Sequence, residues 1–183
     1  MPRISRKYLT STYFHVMVQG MNKEYIFNSE IDKYKYKKII KENLSLMGDS
    51  APNILSYCLM DNHTHFIFHT LNFSSLSKFM HQINMHYSLY YNKHNNRVGY
   101  VFRDRFKVQE INNRTQLFNC LRYVHNNPVK ASMCKSMSDY KFSSYNEFLG
   151  CREIITNKSI ELLFGTDNNF NSLFKKIERG KLL

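Results

Sequence analysis

Two short groups of residues carry side chains that can bind a metal ion or act as a nucleophile. The first is His63-Thr64-His65. On a strand, imidazoles at positions i and i+2 project from the same face and can bind one metal ion. Hydrogen-bonded surface histidines would have the same spacing. The pair alone therefore predicts either a metal site or a polar patch on a strand.

The second group is Tyr123 and Asn127, in the stretch RYVHNNPVKA. Residues at positions i and i+4 of a helix lie on one face, so a phenol and an amide oxygen would face the same site. The alternative role for the tyrosine is packing on an amphipathic helix. His125 projects elsewhere from that helix. Spacing alone leaves Tyr123 as one of 13 tyrosines.

The elements that must position these groups follow from hydrophobic periodicity and turn residues. The pattern predicts a strand at Tyr13–Gln19, a helix at Ser29–Met47, strands at Asn53–Met60 and Thr64–Thr70, a helix at Ser74–Tyr91, a loop and strand in Gly99–Ile111, and a helix from Thr115 that ends at Pro128. The order is β-α-β-β-α-β-α. It predicts an α+β fold with a ferredoxin-like antiparallel sheet, helices packed on one face, and a further helix carrying Tyr123.

Apolar positions also predict which sides of the helices are buried. In the first helix these are Ile31, Tyr34, Ile39 and Leu46, among many lysines. In the second they are Leu76, Phe79, Met80, Ile83 and Tyr87. The tail from Cys151 to Leu183 is less patterned, with short helices predicted at Ile160–Phe164 and Phe170–Ile177. We therefore divide the chain into a domain at 1–150 and a helical C-terminal extension at 151–183.

Composition points to a polyanionic partner. The 183 residues carry 26 Lys and Arg against 14 Asp and Glu, a formal net charge of +12. Nucleic acid is the first expectation and an anionic membrane surface the second. The apolar stretches are too short to span a membrane, and no apolar segment follows the basic N-terminus, so the expected location is the cytoplasm. The four cysteines have no C-x-x-C spacing and are expected to be reduced.

Two basic segments are candidates for DNA binding. Arg103, Arg105 and Lys107 alternate along a segment predicted to be extended and could line one edge toward a phosphate backbone. A solvated strand edge that discourages aggregation is the alternative. Arg3, Arg6 and Lys7 could form an N-terminal arm. Abundant Tyr and Phe on a basic protein favour single-stranded or hairpin DNA, because exposed rings can stack on unpaired bases.

The segments around both groups resemble the IS200-like transposase superfamily, most closely the REP-associated tyrosine transposases. The resemblance rests on five segments in order: YFHV from Tyr13, YCLMDNHTHFIF from Tyr57, GYVFRDRFK from Gly99, RYVHNNPVKA from Arg122, and DYKFSSY from Asp139. Together they cover about residues 1 to 150. Chance agreement of all five segments in order and spacing is implausible.

The resemblance implies a catalytic site. His63 and His65 would be the paired histidine ligands of an HUH endonuclease, Asn127 the amide ligand, and Tyr123 the nucleophile on a catalytic helix. The metal would be Mg²⁺ or Mn²⁺. The product would be a 5′-phosphotyrosine that a second 3′-OH can attack, at imperfect palindromes beside a short guide sequence. A monomer and a homodimer both occur among such enzymes, and the sequence favours neither.

Departures from the family pattern concern the DNA contacts more than the ligands. Asp61 replaces the usual Pro and Thr64 the usual bulky apolar residue, and neither change removes a ligand. Gln19 stands where Arg is usual and Asp104 where Gly is usual.

Rival enzyme classes fit the sequence less well. A two-histidine cyclic phosphodiesterase needs a second H-x-[ST] motif, and a histidine-triad hydrolase needs His at the position of Ile67. A replication-initiator or relaxase nickase is a third alternative, but the NPVKA and SSY segments look like the transposase branch. The remaining alternative is a domesticated DNA-binding protein or repressor with an idle site.

Overall fold

Four strands form one antiparallel sheet in the computed structural model, which describes residues 9–150, 152–166 and 174–176. The strands are β1 (Tyr13–Gln19), β2 (Asn53–Met60), β3 (His63–His69) and β4 (Lys107–Ile111). Their order is β2-β3-β1-β4, and each neighbouring pair is antiparallel. The predicted α+β class and ferredoxin-like sheet are confirmed.

Five α-helices accompany the sheet within residues 9–150 and 152–166. They are α1 (Glu30–Met47), α2 (Phe73–His94), α3 (Arg114–Lys130), α4 (Tyr145–Phe148) and α5 (Asn157–Phe164). Ser29, the first residue of the predicted helix, caps α1, accepting a hydrogen bond from the Asp32 N–H while the Asp32 carboxylate accepts one from the Ser29 N–H. This reciprocal cap fixes where α1 begins. None of these helices is both long and apolar enough to cross a bilayer.

The two faces of the sheet differ in composition because side chains alternate along β1 and β3. One face, the core face, carries Phe14 and Val16 of β1 opposite Phe68 and Phe66 of β3. All four are at most 1% exposed. The helices α1 and α2 cover this face, with the ring centroids of Phe68 and Phe79 5.9 Å apart. The predicted buried positions of α2 are all confirmed.

The side of α1 that faces the core differs from the prediction. Ile39 is buried as predicted, whereas Ile31, Tyr34 and Leu46 are 68%, 51% and 80% exposed. The buried side includes Lys33 and Lys37 instead.

These two lysines can be buried because their ammonium groups are paired. Lys33 Nζ lies 2.6 Å from the Asp61 carboxylate and 5.0 Å from the centre of the Phe142 ring. Lys37 pairs with Glu153. Their alkyl stems add apolar contact, so both lysines can lie on the buried side of the helix.

The opposite face of the sheet, the histidine face, carries His15 on β1 and His63 and His65 on β3, and α3 covers part of it. The prediction that α3 ends at Pro128 is wrong, because the helix continues to Lys130. A proline removes one N–H donor, and here that loss falls in the final turn. The Ala131 N–H still donates to the Asn127 carbonyl, at 2.9 Å, and closes the turn.

Part of the C-terminal segment packs beside the first turns of α3. Arg114 donates to the Leu163 carbonyl at 3.0 Å, and the Phe118 and Phe164 rings stack with centroids 6.0 Å apart. The helix predicted at Ile160–Phe164 lies within α5. Of the segment predicted at Phe170–Ile177, residues 174–176 are described, and they are helical. The division at residue 150 stays a prediction.

Candidate active site

His63 and His65 lie on the histidine face with their rings in contact. Their centroids are 4.9 Å apart and their planes nearly perpendicular. The pairing of β3 with β1 sets Gln19 opposite His63 and Met17 opposite His65. The i, i+2 spacing therefore places both imidazoles on one side of the sheet, as predicted.

A neighbouring amide fixes the orientation of His63. Its Nδ1 lies 2.6 Å from the Asn62 side-chain oxygen, and the Asn62 amide nitrogen donates to the Lys23 carbonyl at 3.2 Å. Because an amide oxygen only accepts, His63 Nδ1 must carry the proton. The Nε2 lone pair of neutral His63 is then directed away from that bond and can bind a metal.

A third histidine, His15, completes the cluster, although no sequence motif predicts a role for it. His15 Nε2 lies 2.9 Å from His65 Nδ1, and the two rings stack with centroids 5.1 Å apart. Alternation along β1 puts His15 on the same side as the pair. Finding the contact required the pairing of β1 with β3, which joins residues 50 positions apart.

Burial keeps the three imidazoles neutral. Burial, and to a lesser extent the neighbouring His15 and His63, lowers the pKa of His65 to about 3. Burial also lowers the pKa of His63, against the opposing effect of the Asp61 carboxylate, and the pKa of His15. Metal ligation needs neutral imidazole, so the cluster is in the form that binds cations at neutral pH.

Tyr123 reaches this cluster from α3. Its ring meets the His65 ring edge-on at 5.4 Å and the His15 ring at 5.9 Å. The residue is 40% exposed, so solvent and ligands can reach it. A shallow cleft beside it is lined by Asn119, Arg122, Tyr123, Asn126 and Lys130. The structure thus brings together the phenol and the two histidines that the sequence singled out.

Asn127 lies one helical turn after Tyr123, as its spacing predicted. Its amide nitrogen donates to the Tyr123 carbonyl at 2.9 Å, which leaves the side-chain oxygen as the atom that can bind a cation. Its role as a ligand stays a prediction. Among the residues that the structure describes, no three His, Cys, Asp or Glu side chains come together to hold a metal ion. A metal on His63 and His65 would therefore need an amide, phosphate or water oxygen as well.

His125 helps to hold α3 in place and does not lie in the cleft beside Tyr123. It is 1% exposed, and its Nε2 lies 3.0 Å from the Ser56 hydroxyl of β2 and 2.9 Å from the Ser144 hydroxyl. Ser56 and Ser144 also contact each other at 3.0 Å. This buried network connects α3 to β2 through Ser56, and to the segment that follows α3 through Ser144. It lies on the side of α3 away from the exposed Tyr123.

The predicted DNA-binding residues are only partly placed on one strand. Lys107 is the first residue of β4, whereas Arg103 and Arg105 are exposed in the loop before it. The Arg103 N–H donates to the Gln19 carbonyl, and its guanidinium lies 3.8 Å from Asp104. The predicted alternation along one extended edge is therefore wrong, because the chain bends through residues 101–105. Their role in DNA binding stays a prediction, and Arg3, Arg6 and Lys7 lie outside the described residues.

Comparison with known proteins gives a family and a fold. The family model described as "Transposase IS200 like" matches residues 8–127. Eleven chains of solved structures match. One is a REP-associated tyrosine transposase bound to a REP hairpin, 18% identical, covering 85% of this chain and 91% of that chain with a TM-score of 0.62. Another is a candidate transposase of Deinococcus radiodurans R1, 11% identical, covering 68% and 97% with a TM-score of 0.44. No curated protein matches.

Proposed function

Because the chain belongs to the IS200-like transposase family, whose model matches residues 8–127, we propose that it cleaves and rejoins single-stranded DNA with Tyr123 as its nucleophile. One observation carries the proposal. The half-exposed Tyr123 ring lies in contact with the imidazole of His65, whose ring in turn contacts His63. Packing alone does not explain why a tyrosine that is 40% exposed lies against a neutral histidine pair at an open cleft.

The proposed reaction transfers one phosphodiester bond to the protein. The Tyr123 oxygen forms a bond to phosphorus, and the bond from phosphorus to the 3′ oxygen breaks. The phenolic proton leaves to solvent in the cleft, and the departing 3′ oxygen takes up a proton. The products are a 5′-phosphotyrosine and a free 3′-OH. The phosphotyrosine linkage is itself a phosphodiester, so a second 3′-OH can attack it and rejoin strands without ATP.

A divalent ion fits the donor set at this site. His63 and His65 would hold Mg²⁺ or Mn²⁺ through Nε2, together with the Asn127 oxygen. When bound, such an ion neutralises charge on the scissile phosphate. Two imidazoles and one amide leave coordination positions for phosphate and water, as a catalytic site requires.

The cleft beside Tyr123 is suited to a DNA strand. Arg122 and Lys130 supply positive charge, and Asn119 and Asn126 supply amide groups. Lys130 Nζ lies 5.5 Å from the centre of the Tyr123 ring. The solved structure with a TM-score of 0.62 holds a REP hairpin. We propose hairpin-flanked single strands as the substrate class here too.

The test uses a pool of hairpin oligonucleotides with randomised single-stranded flanks, incubated with the protein and Mn²⁺ and run on a denaturing gel. Because the proposed adduct retains the DNA that lies 3′ of the cut, a 3′-end label should move with the protein. In cleaved molecules, a 5′-end label should appear in a shortened free strand and not with the protein. This difference tests the polarity of cleavage as well as the adduct.

Two variants decide the assignment. Tyr123→Phe should abolish the labelled protein band. Tyr25→Phe, which changes a tyrosine that is 61% exposed on a loop, should leave it intact. An adduct of equal yield from Tyr123→Phe would show that another residue attacks. No adduct from the wild-type protein with any flank would favour a DNA-binding protein with an idle site.

A further inference from the structure

His15 is the one residue of the cluster that touches both His65 and Tyr123 through its ring. We propose that His15 is a positioning residue, which accepts a hydrogen bond from His65 Nδ1 and so keeps the His65 Nε2 lone pair free for a metal. The inference rests on the proposed function, in which His65 is a ligand. It assigns a role to a side chain that the catalytic mechanism does not use.

The 2.9 Å contact permits two arrangements of protons. In one, His65 Nδ1 donates to His15 Nε2. In the other, His15 Nε2 donates and His65 Nδ1 accepts. Neutral imidazole has one N–H and one lone pair. The second arrangement would put the proton of His65 on Nε2 and occupy its Nδ1 lone pair, so neither nitrogen could bind a metal. Only the first arrangement is compatible with ligation.

The surroundings of His63 favour the first arrangement. There the acceptor is an amide oxygen, which cannot donate, so His63 must donate from Nδ1. In the same way, His65 would donate from Nδ1, with His15 Nε2 as the acceptor. Both ligands would then present Nε2 and have Nδ1 anchored, as is usual for metal-binding histidines, whose second nitrogen is held by a neighbouring acceptor.

The fold holds His15 in position to act in this way. In the pairing of β1 with β3, His15 stands opposite Ile67 and therefore diagonal to His65 on the same face. The two rings are nearly parallel, at 13°. The edge contact with Tyr123 adds a second restraint, so His15 links the orientation of a ligand to the position of the nucleophile.

The first experiment reads the tautomer directly. Long-range ¹H–¹⁵N spectra of the ¹⁵N-labelled full-length protein, without metal, distinguish Nδ1–H from Nε2–H imidazole. We expect His65 in the Nδ1–H form. His15→Leu should remove the acceptor and shift His65 toward the Nε2–H form. A wild-type His65 that is already in the Nε2–H form would overturn the proposal and leave the assignment of Tyr123 intact.

The second experiment measures Mn²⁺ affinity by the loss of the free-ion EPR signal. His15→Leu should weaken binding by about 10- to 100-fold, the usual effect of removing a residue that orients a ligand. His15→Gln keeps a carbonyl acceptor and should restore most of the affinity. His69→Leu alters a histidine of β3 whose ring lies tilted against the Tyr13 ring, with centroids 4.8 Å apart, and should change nothing.

The outcomes separate this inference from the proposed function. Equal Mn²⁺ affinity in wild type and His15→Leu would overturn the role of His15. Failure of His15→Gln to rescue, with the fold intact by circular dichroism, would also overturn it. Adduct formation by a wild-type protein that binds no Mn²⁺ would instead contradict the proposed metal dependence, and the tautomer spectrum would still decide what His15 does.

Discussion

The core face and the histidine face are built by the same strands and have opposite properties. On the core face, Phe66 and Phe68 of β3 are fully buried and pack on rings and aliphatic side chains. On the histidine face, His63 and His65 of the same strand contact each other, His15 and a half-exposed tyrosine. Moving one residue along β3 therefore takes a side chain from the core face to the histidine face.

The difference lies in how polar atoms are satisfied. The core face depends on apolar burial and tight packing, so its energy is spread over many contacts. The histidine face places a few ring nitrogens in specific hydrogen bonds, including the 2.6 Å contact to Asn62 and the 2.9 Å contact to His15. Substitutions on the first face should change the free energy of unfolding. Those near the exposed edge of the second should change activity.

The largest expected effect on stability comes from Phe68→Ala on the core face. Phe68 is fully buried, and such truncations cost about 3–5 kcal/mol of unfolding free energy. Urea denaturation would measure the loss. Leu89→Ala, at a position that is 65% exposed on α2, is the control and should stay within about 0.5 kcal/mol. A loss of activity per folded molecule in Phe68→Ala would break the separation of the two faces.

His63→Ala tests the other face. We expect adduct formation to fall by about 10²- to 10³-fold, as when a group that stabilises transition-state charge is removed. The melting temperature should change little, because His63 is only half-buried at the end of the strand. Gel-based adduct rates and thermal melts on the same preparation would measure both. A large drop in melting temperature with a normal adduct rate would contradict the comparison.

A smaller effect, dependent on pH, should arise where α3 covers the histidine face. Burial lowers the pKa of His125 to about 3, against 6.5 in the unfolded chain. Below pH 6.5 the unfolded chain binds the proton first, so stability falls as pH falls, by about 1.4 kcal/mol per pH unit for this group. His125→Asn should reduce the slope of unfolding free energy between pH 6 and pH 4.5 by about that amount. An unchanged slope would show that His125 is not buried in its neutral form.

Much of the fold could be predicted because the patterns are local. β1 matches its predicted bounds, and the i, i+2 spacing of His63 and His65 correctly predicted that both lie on one face of β3. The helix predicted from Ser29 begins at Glu30, with Ser29 as its cap. These signals depend on residues a few positions apart, so they can be read from the chain alone.

Two of the differences depend on contacts between residues that are far apart in the chain, and one, at Pro128, has a local cause. Lys33 and Lys37 are buried on α1 only because Asp61 and Glu153 come from other elements to pair with them. Pro128 stays within α3 because its missing donor falls in the last turn. The contact of His15 with His65 exists only because β1 pairs with β3. Periodicity carries no information on any of these.

The most direct test of the central claim is to locate the DNA on the protein. Trypsin can cut after Arg122 and after Lys130, which releases YVHNNPVK with Tyr123 as its only tyrosine. After adduct formation and nuclease digestion, mass spectrometry should find this peptide, or its extension from Thr115, carrying a 5′-linked nucleotide on Tyr123. A nucleotide on any other residue, with this peptide unmodified, would contradict the assignment of Tyr123 as the nucleophile.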